Sequence, residues 1–275
     1  MGTPSGVPVA SPAKGPRPLR DHLAEKVTVA YPHGDRIHPK FHRCLLALVG
    51  HDAAWGKRLG HSAPFIMLQT TNLPAARNTI VRAFLEESVA DWLCFIDTDQ
   101  TFDPDILERL VASADPIERP ILSALVFAQT SNRSLPVSPA AVVFDGENFV
   151  EAREVPDERW WTVACAGCGC LLIHRRVLED VGAKNADDAF PWFKYGQYNR
   201  PLDGEKVPDM MGEDFTFSLR AASLGFPSVV DTTIEAGHLK ELELTSAHFW
   251  AQLPPDQRPR KLWAVIPVKD RLGMT

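Results

Sequence analysis

The chain has 275 residues, 45% of them apolar and 23% charged, which fits a globular protein and excludes a disordered scaffold or a fibrous repeat. No apolar run reaches the ~18–20 residues that span a bilayer, and the N-terminus has no signal-peptide core, so a soluble, cytoplasmic protein without membrane insertion is expected. The net charge of −6 is uneven: residues 1–60 carry +5 (nine basic, four acidic), residues 255–275 carry +3 (five basic, two acidic), and the middle holds the remaining −14, an odd balance for a nucleic-acid binder but a natural one for carboxylates gathered round a metal.

Residues 1–24 are rich in Pro, Gly, Ser and Ala, with five prolines before residue 21, and read as a flexible tail. A β-branched run, Val27 to Tyr31, predicts the first strand, stopped by Pro32. Pro39 opens a helix whose buried face is Phe41, Cys44, Leu45, Leu48 and Val49. Phe65–Gln69 is the next strand. The helix from about Pro74 has Ala76, Ile80, Phe84 and Leu85 as its apolar face, with Arg77 and Arg82 pointing elsewhere. Trp92–Ile96 is apolar throughout, as a central strand covered on both faces should be. It ends in Asp97-Thr98-Asp99, and Asp103 is expected to cap the helix that follows. Ile121–Phe127 is a fourth strand.

Alternating strands and helices over 27–127 predict a mostly parallel sheet wrapped by helices. The pattern then changes. A hairpin is expected at 140–150 round Asp145-Gly146, a long strand at Thr162–Ile173, a short helix at Arg175–Val181 ended by Gly182, and loop at 184–211. A helix from Asp214 to Leu224, a last strand Ser228–Asp231, and a Pro- and Arg-rich C-terminal extension with an apolar run at Trp263–Val268 complete the chain.

Two carboxylates one residue apart at the C-terminal end of a central strand can approach one hard divalent cation, and ligands bind at that end of an open α/β sheet. Since Asp103 is expected to serve as the cap, Asp97 and Asp99 are surplus to it. Glu213-Asp214 forms a second acidic pair at a helix start, and His238 follows the last strand. Cys165, Cys168, Cys170 and His174 have a zinc-like spacing, but strand alternation sets Cys165 on one face and the others on the opposite one, so buried thiols are the better reading. The aromatic clusters Trp160-Trp161 and Trp192-Phe193 could either pack in the interior or stack on a sugar.

The succession of strand and Asp-x-Asp, the Gly-rich segment Ala166-Gly167-Cys168-Gly169-Cys170, Glu213-Asp214 at a helix start, and then His238, together with Ala76-Arg77-Asn78, resembles the GT-A fold nucleotide-sugar glycosyltransferases of the inverting family 2 type, over about residues 27–240. The small size is similar to stand-alone phage- or bacterium-encoded members. The family's Gln-x-x-Arg-Trp mark of processive synthases is absent, which points to transfer of a single sugar.

The resemblance implies one domain over 25–250, with a nucleotide-sugar half at 25–127 and an acceptor half at 128–250, flanked by the tail and a 251–275 extension. It implies Mn²⁺ or Mg²⁺ held by Asp99, Asp97 and His238, and a UDP- or GDP-linked hexose or pentose bordered by Tyr31, Pro32, His33, Arg77 and Asp97. It implies Asp214 as general base with Glu213 beside it, and an acceptor wall at Trp192, Phe193 and Gly167. The acceptor itself stays open among small molecules, proteins and modified DNA. So does the stereochemistry, since retaining members share the metal site, and a nucleotide-binding module without catalysis is the alternative of another class.

Overall fold

A computed structural model describes residues 25–129, 137–202 and 205–240. The expected tail, the Trp263–Val268 strand and the C-terminal extension lie outside the described residues.

The chain begins with β1 (Val27–His33), α1 (Pro39–His51) and a π-helical turn at Asp52–Gly56, followed by β2 (Phe65–Gln69), α2 (Leu73–Glu87), β3 (Trp92–Ile96), β4 (Gln100–Thr101) and α3 (Ile106–Ser113). Then come β5 (Ile121–Gln129), β6 (Val137–Pro139), β7 (Ala141–Phe144), β8 (Phe149–Glu151), β9 (Trp160–Val163), β10 (Cys165–Ala166) and β11 (Cys170–His174). The described chain closes with α4 (Arg175–Lys184), β12 (Gly196–Leu202), β13 (Glu205–Met211), α5 (Glu213–Ala222) and β14 (Ser228–His238).

The main sheet runs β2-β1-β3-β11-β5-β14-β4, with β6 on β5 and β9 on β14. β2, β1, β3, β5 and β14 point the same way, and β11 enters antiparallel between β3 and β5. This is the α/β class expected, a mixed sheet flanked by helices, with the small hairpin sheet β10-β7-β8 beside it.

Strand alternation sorts the core into two layers. Leu93 and Phe95 of β3, with Leu171 and Ile173 of β11, pack with Ile80 and Phe84 of α2, Val177 and Leu178 of α4, and Phe217 of α5. Trp92, Cys94 and Ile96, with Cys170 and Leu172, pack on the other face with Phe41 and Leu48 of α1 and Ile106, Leu110 and Val111 of α3. Both faces of β3 are therefore covered, which is why it is apolar at every position.

Several local expectations give way to tertiary context. Pro32 does not end β1, because the strand continues to His33 beside Leu68 and Gln69 of β2. Val49 is exposed rather than part of the buried face of α1. The long strand at 162–173 is three strands in different pairings: β9 on β14, β10 on β7, and β11 in the sheet centre. Cys168 falls in the turn between them, so it joins one core layer while Cys170 joins the other, and the alternation assumed for them fails. Gly182 lies inside α4 instead of ending it. The region read as loop carries the β12–β13 hairpin. β14 runs seven residues past Asp231, with a bulge between Asp231 and Glu235 that absorbs its polar Thr232-Thr233. Asp103 is exposed and gives no side-chain cap: α3 starts at Ile106, whose N–H bonds the Asp103 backbone carbonyl.

Candidate functional site

The same-direction strands β1, β2, β3, β5 and β14 all end on one edge of the sheet, and Pro32, His33, Asp97, Asp99 and His238 lie there. A cleft of about 300 Å³ at the ends of β1, β2 and β3 is lined by Pro32, His33, Gly34, Thr70, Thr71, Leu73 and Asp97 to Asp99. Pro32, His33, Asp97 and Asp99 were expected near one ligand. Gly34, Thr70, Thr71 and Leu73 were missed, because nothing local distinguishes a Thr-Thr turn that faces a cleft from one that faces water. Tyr31 is not in the cleft. It is 4% exposed, packs edge-on against Phe41 at 5.2 Å, and donates its hydroxyl to the Met67 sulfur at 3.6 Å.

His238 reaches this edge because the end of β14 pairs with β4, setting His238 opposite Gln100. The Leu239 N–H bonds the Asp99 carbonyl at 2.7 Å and closes the corner. His238 Nδ1 lies 2.8 Å from the Phe127 carbonyl, and Nε2 lies 3.0 Å from Asp99 Oδ2. A carbonyl only accepts, so Nδ1 carries the proton. In the neutral ring Nε2 then turns a lone pair toward a carboxylate, an arrangement that calls for a positive charge there, either a second ring proton or a cation held between them.

Asp97 does not join that pair. Its carboxylate takes two bonds from Arg77 Nη2, at 2.9 and 3.1 Å. Among the described residues, no three His, Cys, Asp or Glu side chains are grouped to hold a metal, so the trio Asp97, Asp99 and His238 is not assembled as expected. Asp99 and His238 meet; Asp97 is turned to Arg77.

Arg77, expected near a donor, is 2% exposed. Its Nη1 donates to Glu213 Oε1 at 2.5 Å, so one guanidinium holds the end of β3 to the start of α5. Its ring neighbours are Phe95 and Phe193, each under 6 Å from the guanidinium carbon. Burial raises the proton affinity of both Asp97 and Glu213, and Arg77 opposes the rise for each. Burial alone would make Arg77 easier to deprotonate, but the surrounding negative groups reverse this and keep it charged. Two carboxylates thus share one buried cation, leaving a net negative charge in the wall between the β3 end and α5.

Asp214 follows Glu213 and faces a second cleft of about 300 Å³. Its Oδ1 accepts the Phe215 N–H at 2.7 Å. Gly212 makes room for it, since a Cβ there would sit 2.7 Å from Oδ1. Gly167 lines the same cleft, as do Val150, Phe149, Phe215 and Met211.

Trp192 and Phe193, expected at an acceptor wall, are buried at 6% and 0% exposure. The Trp192 indole N–H bonds the Leu178 carbonyl, Phe193 stacks on Phe217 at 4.6 Å, and Asn78 ties down both backbones. Trp160 is half exposed, flanked by Arg119 and Arg159 on the strand that pairs with the start of β14. His174 accepts the Arg176 N–H at the start of α4, and all the described cysteines are free thiols.

No family model and no curated protein matches this sequence. Among solved structures, the fold is similar to that of A197 from STIV, with 16% identity and a TM-score of 0.46 over 78% of this chain and 86% of that one. It is also similar to GalNAc-T7 solved with UDP, GalNAc and Mn²⁺, with 14% identity and a TM-score of 0.49 over 79% of this chain. The chain spans 44% of the length of that second protein. No helix among the described residues is long and apolar enough to cross a membrane.

Proposed function

We propose that this chain is a GT-A glycosyltransferase of the stand-alone phage or bacterial kind, working in the cytoplasm, that moves one hexosyl or pentosyl group from a UDP- or GDP-linked donor to an acceptor hydroxyl with inversion. The observation that carries the reading is the Asp99–His238 pair, a carboxylate oxygen and an imidazole nitrogen 3.0 Å apart beside the Pro32/His33 cleft. Two donors, one oxygen and one nitrogen, fit Mn²⁺ or Mg²⁺ and leave positions open for ligand oxygens. Asp99 and His238 would hold the ion, and a bound divalent ion supplies charge stabilisation to a departing diphosphate.

The chain's own groups account for the rest. Pro32, His33 and the Thr70-Thr71 turn border the nucleoside, and Asp97 is free to accept from a ribose hydroxyl only with the oxygen lone pairs that Arg77 leaves. Arg77 positions Asp97 and Glu213 rather than touching the donor. Asp214 accepts the proton of the acceptor hydroxyl as the acceptor oxygen bonds the anomeric carbon and the carbon–phosphate oxygen bond breaks, its electron pair leaving with the diphosphate.

Titration with UDP and GDP, each with and without Mn²⁺, tests the reading through the melting temperature. A rise with one nucleotide that requires Mn²⁺, and that is lost in Asp99→Ala and His238→Ala, is expected. No rise with either nucleotide at millimolar concentration, or a rise unchanged in excess EDTA, would remove the metal-assisted reading.

A further inference from the structure

The cleft beneath Asp214 differs in character from the one beside Asp99. Its walls are largely aromatic and aliphatic, with Gln129 and Ser138 among them: Phe149 and Phe215 meet edge to face at 5.2 Å, the Tyr198 ring stands edge-on to Phe215 at 6.2 Å, and Val150 and Met210 complete the sides. The charged side chains that line it, Asp214 and Glu151, are both acids, and among the described residues no Lys or Arg lines it. Behind the wall, Glu213 and Asp97 add negative charge that Arg77 only partly offsets.

Three consequences follow for an occupant. A phosphate or carboxylate here would lose water and meet two carboxylates, with no Lys or Arg among the described lining residues to offset them, which is unfavourable. A sugar chain would set its many hydroxyls against the side chains of Gln129, Ser138, Glu151, Tyr198 and Asp214, spread among apolar neighbours. An apolar ring system gains burial and edge-to-face contact with Phe149, Phe215 and Tyr198, and the pliable Met210 and Met211 can follow its outline. A volume of about 300 Å³ suits a small molecule rather than a polymer segment.

We propose that this cleft binds the acceptor, and that the acceptor is an uncharged small molecule with a flat, largely apolar body whose hydroxyl points to Asp214; the proposal rests on the reading of Asp214 as the general base. The class is that of phenols and aryl alcohols.

Saturation-transfer NMR on the full chain, with no nucleotide present, compares 2-naphthol, maltotriose and 2-naphthyl phosphate. Saturation of the 2-naphthol ring protons is expected, with little for the other two. Val150→Glu and Met210→Glu, both lying off the β3–α5 ion pairs, should each cut the 2-naphthol signal several-fold while leaving the melting temperature and the UDP/Mn²⁺ response as in wild type. Preference for maltotriose, equal binding of 2-naphthyl phosphate, no binding of 2-naphthol, or a 2-naphthol signal untouched by both variants would each overturn the proposal. Because 2-naphthol is read without a donor, loss of the UDP response alone would strike the transferase reading and leave the cleft's ligand class standing.

Discussion

Arg77 and Glu213 lie 136 positions apart in sequence and meet through a buried hydrogen bond of 2.5 Å, and the same guanidinium grips Asp97 at 2.9 Å. The bond joins α2 to the first residue of α5, so the helix that carries Asp214 is anchored to the strand end that carries Asp97 and Asp99. The geometry at the β3 end and at the start of α5 is thereby linked through one side chain.

Replacing Arg77 by Met should leave the buried Glu213 and the half-buried Asp97 without their cation, a loss of about 3 kcal/mol in unfolding free energy. Arg77→Lys should recover only part of this, because a single ammonium cannot form the fork that serves Asp97 and Glu213 together. Urea denaturation monitored by tryptophan fluorescence measures both. Equal stability of Arg77→Met and wild type would show that the clamp contributes nothing.

The same triad has a pH signature. Burial raises the Asp97 pKa above its ordinary 3.8, so the folded chain binds this proton more tightly than the unfolded one. The stability associated with Asp97 is therefore fully present below about pH 3.8 and is lost as pH rises through the folded value. Asp97→Asn lacks this titration. Its melting temperature should match the wild type most nearly at pH 4 and gain on it toward pH 7. A difference between the two that stays flat over that range would contradict the shift.

Asp214→Asn should keep the fold and the UDP/Mn²⁺ response but lose about a hundredfold or more in transfer rate, the typical contribution of one positioned carboxylate. The wild-type product should have the opposite anomeric configuration to the donor, read by NMR coupling constants. A retained configuration would restrict Asp214 to binding the acceptor.

Gly182→Ala tests the interior that holds Trp192 buried. A Cβ at this position would lie 2.7 Å from the Trp192 ring, which is pinned by its bond to Leu178 and cannot withdraw. Overpacking of this kind costs about 1–3 kcal/mol. Thermal unfolding should show a lower midpoint with an unchanged response to UDP and Mn²⁺, because the cleft beside Asp99 is built from other elements.

How far the site could be read beforehand varied with the residue. The acids at 97, 99, 213 and 214 stood out because each ends a clear apolar run or opens a helix. His238 could be named but not positioned: the expected strand stopped at Asp231, and only pairing with β5 and β4 carries β14 across its polar bulge to the sheet edge. Trp192 and Phe193 looked available because they lie in an irregular segment, yet Asn78, Leu178 and Phe217 draw them inward. Arg77 was read as lying off the apolar face of its helix and near a donor, and nothing near it in sequence announces the two carboxylates, Asp97 and Glu213, that it joins.

By itself the sequence determined which segments seek burial, their order, and the strand end where two carboxylates stand together, because hydrophobic period, turn residues and helix starts are local properties. Only the tertiary structure decided that β11 enters antiparallel, that Asp97 belongs to Arg77 while Asp99 belongs to His238, and that a cleft with aromatic walls opens under Asp214. Those outcomes depend on contacts between residues scores of positions apart, where desolvation and charge pairing choose among partners that no local pattern distinguishes.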